Sequence, residues 1–92
     1  MINYHLTVSG RVQGVGFRWS TYQLAQELGL AGFVQNQMDG TVYIVVQGPH
    51  DLVRKFTKQV QAGVNQYARV TNVKIKPGNL INTQTFSIKE SW

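Results

Sequence analysis

The first residues of the chain alternate between apolar and polar side chains. Ile2, Tyr4, Leu6 and Val8 occupy every second position. This period of two predicts a strand with one buried face. Similar short apolar segments predict four further strands, at Gly32 to Gln35, Thr41 to Gln47, Val70 to Lys76 and Phe86 to Ile88. Asp39-Gly40 favours a tight hairpin that would pair the second and third strands antiparallel, and Pro77-Gly78-Asn79 is expected to end the fourth.

Two other segments have the spacing of a helix. The first is predicted from about Arg18 to Leu28, where Gly29 provides a stop. Ser20 and Gln23 form a possible capping box that would start it later. The second helix is expected after Gly48-Pro49, with Pro at its first position and one apolar stripe before Gly63; the stripe consists of Leu52, Val53, Phe56 and Val60.

This order of elements predicts an α+β fold. Strand, helix, strand, strand, helix, strand is the βαββαβ pattern of a ferredoxin-like sandwich. We expect an antiparallel sheet of four main strands plus a short C-terminal strand, with two helices on one face. The 92 residues are expected to form a single domain spanning 1–92. Because this fold carries many functions, its presence does not identify one.

Composition narrows the possible chemistry. The chain has no cysteine, which excludes disulfides, thiolate zinc sites and a cysteine nucleophile. It shows no signal-like start and no apolar run long enough for a membrane span, so we expect a cytoplasmic protein without membrane contact. The four acidic residues are scattered in sequence, and we predict neither a metal nor a cofactor. A net charge of +5 favours an anionic partner.

The segment between the first strand and the first helix predicts an anion-binding loop. Gly10, Gly14 and Gly16 allow tight backbone turns that direct several N–H groups at one anion, and the helix start adds further donors. Arg18 offers a planar fork of donors suited to phosphate. No Walker A lysine follows, and Trp19 replaces the third glycine of a dinucleotide fingerprint, so a bare phosphoryl group is favoured. A purely structural glycine turn remains open at this point.

The residues of this loop resemble a known family signature. Gly10-Arg11-Val12-Gln13-Gly14-Val15-Gly16-Phe17-Arg18 is similar to the signature loop of acylphosphatases. Gly32-Phe33-Val34-Gln35-Asn36 with Asp39-Gly40-Thr41-Val42 resembles the second signature, and Gln47-Gly48-Pro49 and Phe86-x-Ile88 also match. The chain departs from the family at Gly63-Val64-Asn65-Gln66-Tyr67, where a Gly-Pro pair is usual.

The resemblance implies a specific site and reaction. Arg18 would bind the phosphate and Asn36 would orient the attacking water. The substrate would be a small-molecule acyl phosphate, hydrolysed to a carboxylate and inorganic phosphate, and inorganic phosphate or other small anions would inhibit. The phosphate cradle would be formed by the backbone N–H groups of Val12, Gln13, Gly14, Val15, Gly16 and Phe17.

Two other functions compete with this interpretation. A basic ferredoxin-like sandwich also occurs in RNA-binding domains, but Thr41 to Gln47 lacks the Lys/Arg-Gly-aromatic pattern that stacks bases, so we expect no nucleic-acid partner. A phosphate-binding module without catalysis is the other alternative. His5 and His50 are expected to be solvated. Core packing, and not base stacking, is the expected role for most of the five aromatic residues Trp19, Tyr22, Phe33, Tyr43 and Phe56. A monomer is the simplest oligomeric state.

Overall fold

Seven elements follow one another in the computed structural model, which describes residues 1–90. The strands are β1 (Ile2–Arg11), β2 (Ala31–Asn36), β3 (Val42–Gly48), β4 (Arg69–Pro77) and β5 (Phe86–Lys89), and the helices are α1 (Phe17–Leu28) and α2 (His50–Ala62). The order β1-α1-β2-β3-α2-β4, followed by the short β5, confirms the ferredoxin-like prediction.

The five strands form one sheet in the order β4-β1-β3-β2-β5. β1 pairs antiparallel with both β3 and β4, and β2 pairs antiparallel with β3, which confirms the predicted hairpin. β5 runs parallel to β2. The complete sheet is therefore mixed, with four antiparallel strands and one parallel edge strand.

The core lies between the helices and one face of the sheet. Leu6 is paired with Ile44, which is paired with Val34, and all three are fully buried. Because side chains alternate between the two faces of a strand, residues two positions away share this face. Helix α1 packs against β2 and β5, and α2 packs against β1, β3 and β4. The helix-facing row of the sheet thus directs its side chains into the layer where both helices lie.

The helix starts differ slightly from the sequence prediction. α1 begins at Phe17 with Gly16 as its N-cap and has no side-chain cap. The alternative capping box at Ser20 is wrong, because the Ser20 hydroxyl instead accepts a hydrogen bond from Asn65 at 3.1 Å. Pro49 is the N-cap of α2, one residue before its predicted place, and its carbonyl accepts from the N–H of Leu52 and Val53.

Four strands are longer than predicted, namely β1, β2, β4 and β5. β4 continues to Pro77, which an edge strand accommodates because its outer side needs no ladder donor. β1 continues through Gly10 to Arg11, with a register shift between Ser9 and Gly10. Gly10 therefore belongs to the sheet and not to the anion loop. Its φ is 123°, and an added Cβ would overlap the carbonyl oxygen of Arg69, so the close approach of β4 requires glycine here.

We expect Gly10→Ala to lower the free energy of unfolding by more than about 3 kcal/mol, because the methyl group would collide with the β4 backbone. Gly40→Ala is the matched control. Gly40 also has positive φ (92°), but an added Cβ there has no neighbour within 4 Å, so its cost should be only the conformational one, about 1–2 kcal/mol. Urea unfolding measures both; equal losses would contradict the proposed collision.

Candidate active site

The segment between β1 and α1 folds as a loop of alternating backbone conformation. Gly14 and Gly16 have φ values of 75° and 74°, and within residues 1–90 no residue other than glycine has positive φ. The sign of φ therefore alternates from Gln13 to Phe17. Such alternation turns successive N–H groups toward one point and creates an anion-binding concavity.

The N–H groups of this loop are available to a ligand. Within residues 1–90, the N–H groups from 13 to 16 donate to no backbone carbonyl. The first turn of α1 follows immediately and adds its own unpaired N–H groups and partial positive charge. Val12 and Phe17, each 1% exposed, anchor the two ends of the loop in the core. The loop therefore presents several free N–H donors, and its two ends are held in the core.

Gln13 connects the loop to the β2–β3 hairpin. Its side-chain Nε2 donates to the carbonyl oxygens of Gln37 and Thr41, both at 2.8 Å. The same two carbonyls close the hairpin, because they accept the N–H groups of Gly40 and Gln37 respectively. Both amide hydrogens of Gln13 are used by these bonds. The side chain of Gln13 therefore positions the loop, whereas its backbone N–H donates to no backbone carbonyl among residues 1–90.

Asn65 supports the loop from the other side. Its Nδ2 donates to the carbonyl of Val15 and to the hydroxyl of Ser20, both at 3.1 Å. Its Oδ1 accepts the N–H groups of Tyr67 and Ala68 at 2.9 and 3.0 Å. One side chain thus joins the loop, the first turns of α1 and the segment before β4. The sequence interpretation missed this residue, although it lies in the stretch that departs from the family pattern.

Asn36 is the last residue of β2 and lies at the same end of the sheet as the loop. It is paired with Val42, and Val8 is also paired with Val42, so Asn36 continues a row of buried side chains on the helix face. Its Oδ1 is buried and accepts no hydrogen bond among the described residues. An unpaired buried acceptor costs about 1–3 kcal/mol. Asn3 Oδ1 and Thr21 Oγ1 are also buried without a partner among the described residues, but Asn36 differs from both because it lines a cavity.

A cavity of about 210 Å³ lies between the loop after β1, the start of α1 and the end of β2. Of the predicted site residues, Arg18 and Asn36 both line it, as do Val12, Gly14, Gly16 and Phe17. Gln13 and Val15 do not: the former binds the hairpin, and the latter packs against the core. The one side-chain hydrogen bond of Arg18 among residues 1–90 is a long one, 3.4 Å, from Nη1 to the carbonyl of Lys89. Most of its donors therefore remain available.

The ionisable side chains other than Arg18 lie outside this cavity. His5 is on the opposite face of the sheet, where Nδ1 lies 2.6 Å from the Tyr43 hydroxyl, and His50 begins α2. At the hairpin tip, hydrogen bonds from the Thr41 hydroxyl and backbone N–H hold the pKa of the Asp39 carboxyl below its ordinary value. Among residues 1–90, no group of three or more His, Cys, Asp or Glu side chains could hold a metal ion.

We expect Gln13→Glu to lower the free energy of unfolding by about 1–3 kcal/mol, because it removes both donors from the hairpin carbonyls and places a carboxylate beside them. Gln59→Glu makes the same change on the exposed surface of α2 and should stay within about 0.5 kcal/mol of the parent. Chemical denaturation of the two variants provides the comparison. Equal stability of the two would show that the Gln13 bonds contribute nothing.

Comparisons with known proteins identify the family of the chain. The family model described as Acylphosphatase matches residues 4–88. A curated acylphosphatase of Ligilactobacillus salivarius is 41% identical over 88 residues, covering 96% of this chain and 98% of that protein; one of Archaeoglobus fulgidus gives the same values. The crystal structure of the Bacillus subtilis acylphosphatase superposes with a TM-score of 0.90 at 36% identity, covering 97% of this chain and 99% of that one. The predicted family is confirmed, and the chain belongs to the acylphosphatase family.

Proposed function

We propose that this protein hydrolyses acyl phosphates, with the phosphoryl group bound in the loop from Val12 to Arg18. The observation that carries the proposal is the shared cavity, in which the loop of alternating φ, Arg18 and the unpaired Asn36 Oδ1 meet. Its volume of about 210 Å³ is below the roughly 300–1,000 Å³ of pockets for larger ligands. This favours a small phosphorylated molecule over a nucleotide.

The proposed reaction is a displacement at phosphorus. A water oxygen forms a bond to phosphorus while the bond between phosphorus and the acyl oxygen breaks, and the products are a carboxylate and inorganic phosphate. The carboxylate is a good leaving group, so the enzyme needs no strong general acid. The backbone N–H groups and the Arg18 guanidinium hold the remaining phosphoryl oxygens as charge redistributes, which is stabilisation by fixed donors.

Asn36 is proposed to fix the approach of the water. Its Oδ1 can accept a hydrogen bond from water but cannot act as a strong base, because the amide is neutral at ordinary pH. The burial of this oxygen without a partner among the described residues supports the role. Correct placement of a nucleophile relative to phosphorus is itself a large contribution to rate.

A phosphoryl oxygen of the substrate is proposed to take the proton from the water. The cavity lining described here contains no His, Asp or Glu, so no side chain of ordinary basicity lies beside Asn36. We expect kcat/KM for the substrate dianion to be constant between about pH 6 and pH 8, where a histidine base would titrate. Measuring this pH profile with two acyl phosphates separates the two kinds of ionisation, because an ionisation of the enzyme appears with both substrates and one of the substrate does not. An ionisation near neutrality shared by both would overturn the proton route.

We also propose which molecules bind the protein and in what form it acts. Inorganic phosphate and other small anions should compete with substrate for the loop, and the physiological partner is a small molecule, not nucleic acid. Within the described part of the chain, neither helix has the length and apolarity needed to cross a membrane. We further propose that residues 1–92 are one acylphosphatase-like domain that acts as a cytoplasmic monomer.

The direct test is hydrolysis of benzoyl phosphate by the purified protein. We expect Arg18→Ala and Asn36→Ala each to lower kcat/KM at least about a hundredfold, the cost of losing one preorganised hydrogen-bonding group. Isothermal titration with inorganic phosphate should separate their roles: Asn36→Ala still binds it, whereas Arg18→Ala does not.

Arg54→Ala is the matched control for charge, since Arg54 is exposed on α2, and it should keep parental turnover. Near-parental activity of either site variant would refute its assigned role. Phosphate binding by the parent without any hydrolysis would instead identify a non-catalytic phosphate-binding module. Salt-sensitive RNA binding without hydrolysis would favour the RNA-binding alternative.

A further inference from the structure

Trp19 lies on the surface beside the loop that is proposed to bind phosphate, and not in the core, which was the place expected for most of the aromatic residues. It follows Arg18 in the first turn of α1, lines the same cavity and is 57% exposed. An indole is among the largest apolar surfaces that a side chain can offer. Its exposure next to a polar site distinguishes it from the scattered apolar residues of an ordinary surface.

The orientation of Trp19 is fixed by a series of aromatic rings. Tyr22, one turn further along α1, stacks on it with ring centroids 5.5 Å apart and an interplanar angle of 22°. Tyr22 contacts Phe86 at 6.5 Å, and Phe86 contacts the fully buried Phe56 at 6.2 Å. The indole is thus held from one side by the core. Little side-chain entropy remains to be lost when a ligand packs on its free surface.

Ile88 adds a second apolar group to the cavity. It is paired with Val34 on the helix-facing row of the sheet, yet it is 39% exposed, whereas Phe86 on the same edge strand is buried. It lines the same cavity as Trp19 and Arg18. The cavity therefore combines the hydrogen-bonding groups that suit a phosphate with two exposed apolar side chains that phosphate does not need.

We infer that Trp19 and Ile88 form an apolar subsite for the acyl group of the substrate. The inference rests on the proposed hydrolysis, which requires a molecule with a phosphoryl group at one end and an acyl group at the other. An aromatic or larger aliphatic acyl group gains contact with the indole and the isoleucine, and an acetyl group is too small to cover them. The preferred substrates are accordingly aryl and larger alkyl acyl phosphates.

The test compares kcat/KM for benzoyl phosphate and acetyl phosphate in the parent protein and in Trp19→Ala. We expect Trp19→Ala to reduce kcat/KM for benzoyl phosphate about tenfold and for acetyl phosphate less than about twofold, so that the ratio of the two falls. Trp19→Phe keeps a ring and should restore most of the ratio. Leu80→Ala is the control, because Leu80 is similarly exposed, at 59%, and does not line the cavity.

Inhibition by phenylphosphonate and methylphosphonate provides a readout without turnover. The parent should bind the phenyl compound more tightly, Trp19→Ala should lose most of that difference, and its affinity for inorganic phosphate should be unchanged. Equal losses for both acyl phosphates, or an unchanged ratio in an active Trp19→Ala protein, would overturn the subsite while leaving the proposed hydrolysis intact. Failure of the parent to hydrolyse either acyl phosphate would overturn both.

Discussion

The arrangement of the site depends on the two hydrogen bonds that Gln13 donates to the carbonyls of Gln37 and Thr41. β1 and β2 are not neighbours in the sheet, because β3 lies between them. Strand pairing alone therefore does not fix the loop after β1 relative to Asn36 at the end of β2. Gln37 directly follows Asn36, so the Gln13 amide makes that connection with one side chain. The loop backbone that is proposed to bind phosphate and the Asn36 amide that is proposed to orient the water are thus held together by hydrogen bonds.

The topology of the sheet makes this connection possible. β1 and β2 are both antiparallel to β3, so they run in the same direction, and their C-terminal ends lie at the same end of the sheet. The hairpin from β2 to β3 turns at that end, and α1 begins there after the loop. The fold thus brings together a loop, a helix start and a strand end. The particular side chains at those three places then determine what the cavity binds.

The parts of this structure that the sequence predicted are those governed by local pattern. Alternation identified the strands, and the stripe of Leu52, Val53, Phe56 and Val60 identified α2. The role of Asn65 could not be inferred in this way, because its partners Val15 and Ser20 are 50 and 45 residues away. Gly10 was assigned to the loop because glycine composition does not distinguish a turn from a close strand contact. Family resemblance, not pattern, identified Asn36.

The described lining of the proposed site contains no His, Asp or Glu, so its effect on the reaction would come from the placement of its groups, and that placement costs stability. The loop requires two left-handed glycines, its N–H groups lack backbone partners among the described residues, and the Asn36 oxygen is buried without one. Each of these features lowers the local stability of the fold, and the unpaired groups stay free to bind a ligand. The protein offsets this by burying Val12 and Phe17 at the two ends of the loop and by using Gln13 and Asn65 on its flanks. Substitutions at these four supports should therefore affect activity through geometry, although none of their side chains needs to touch the reacting atoms.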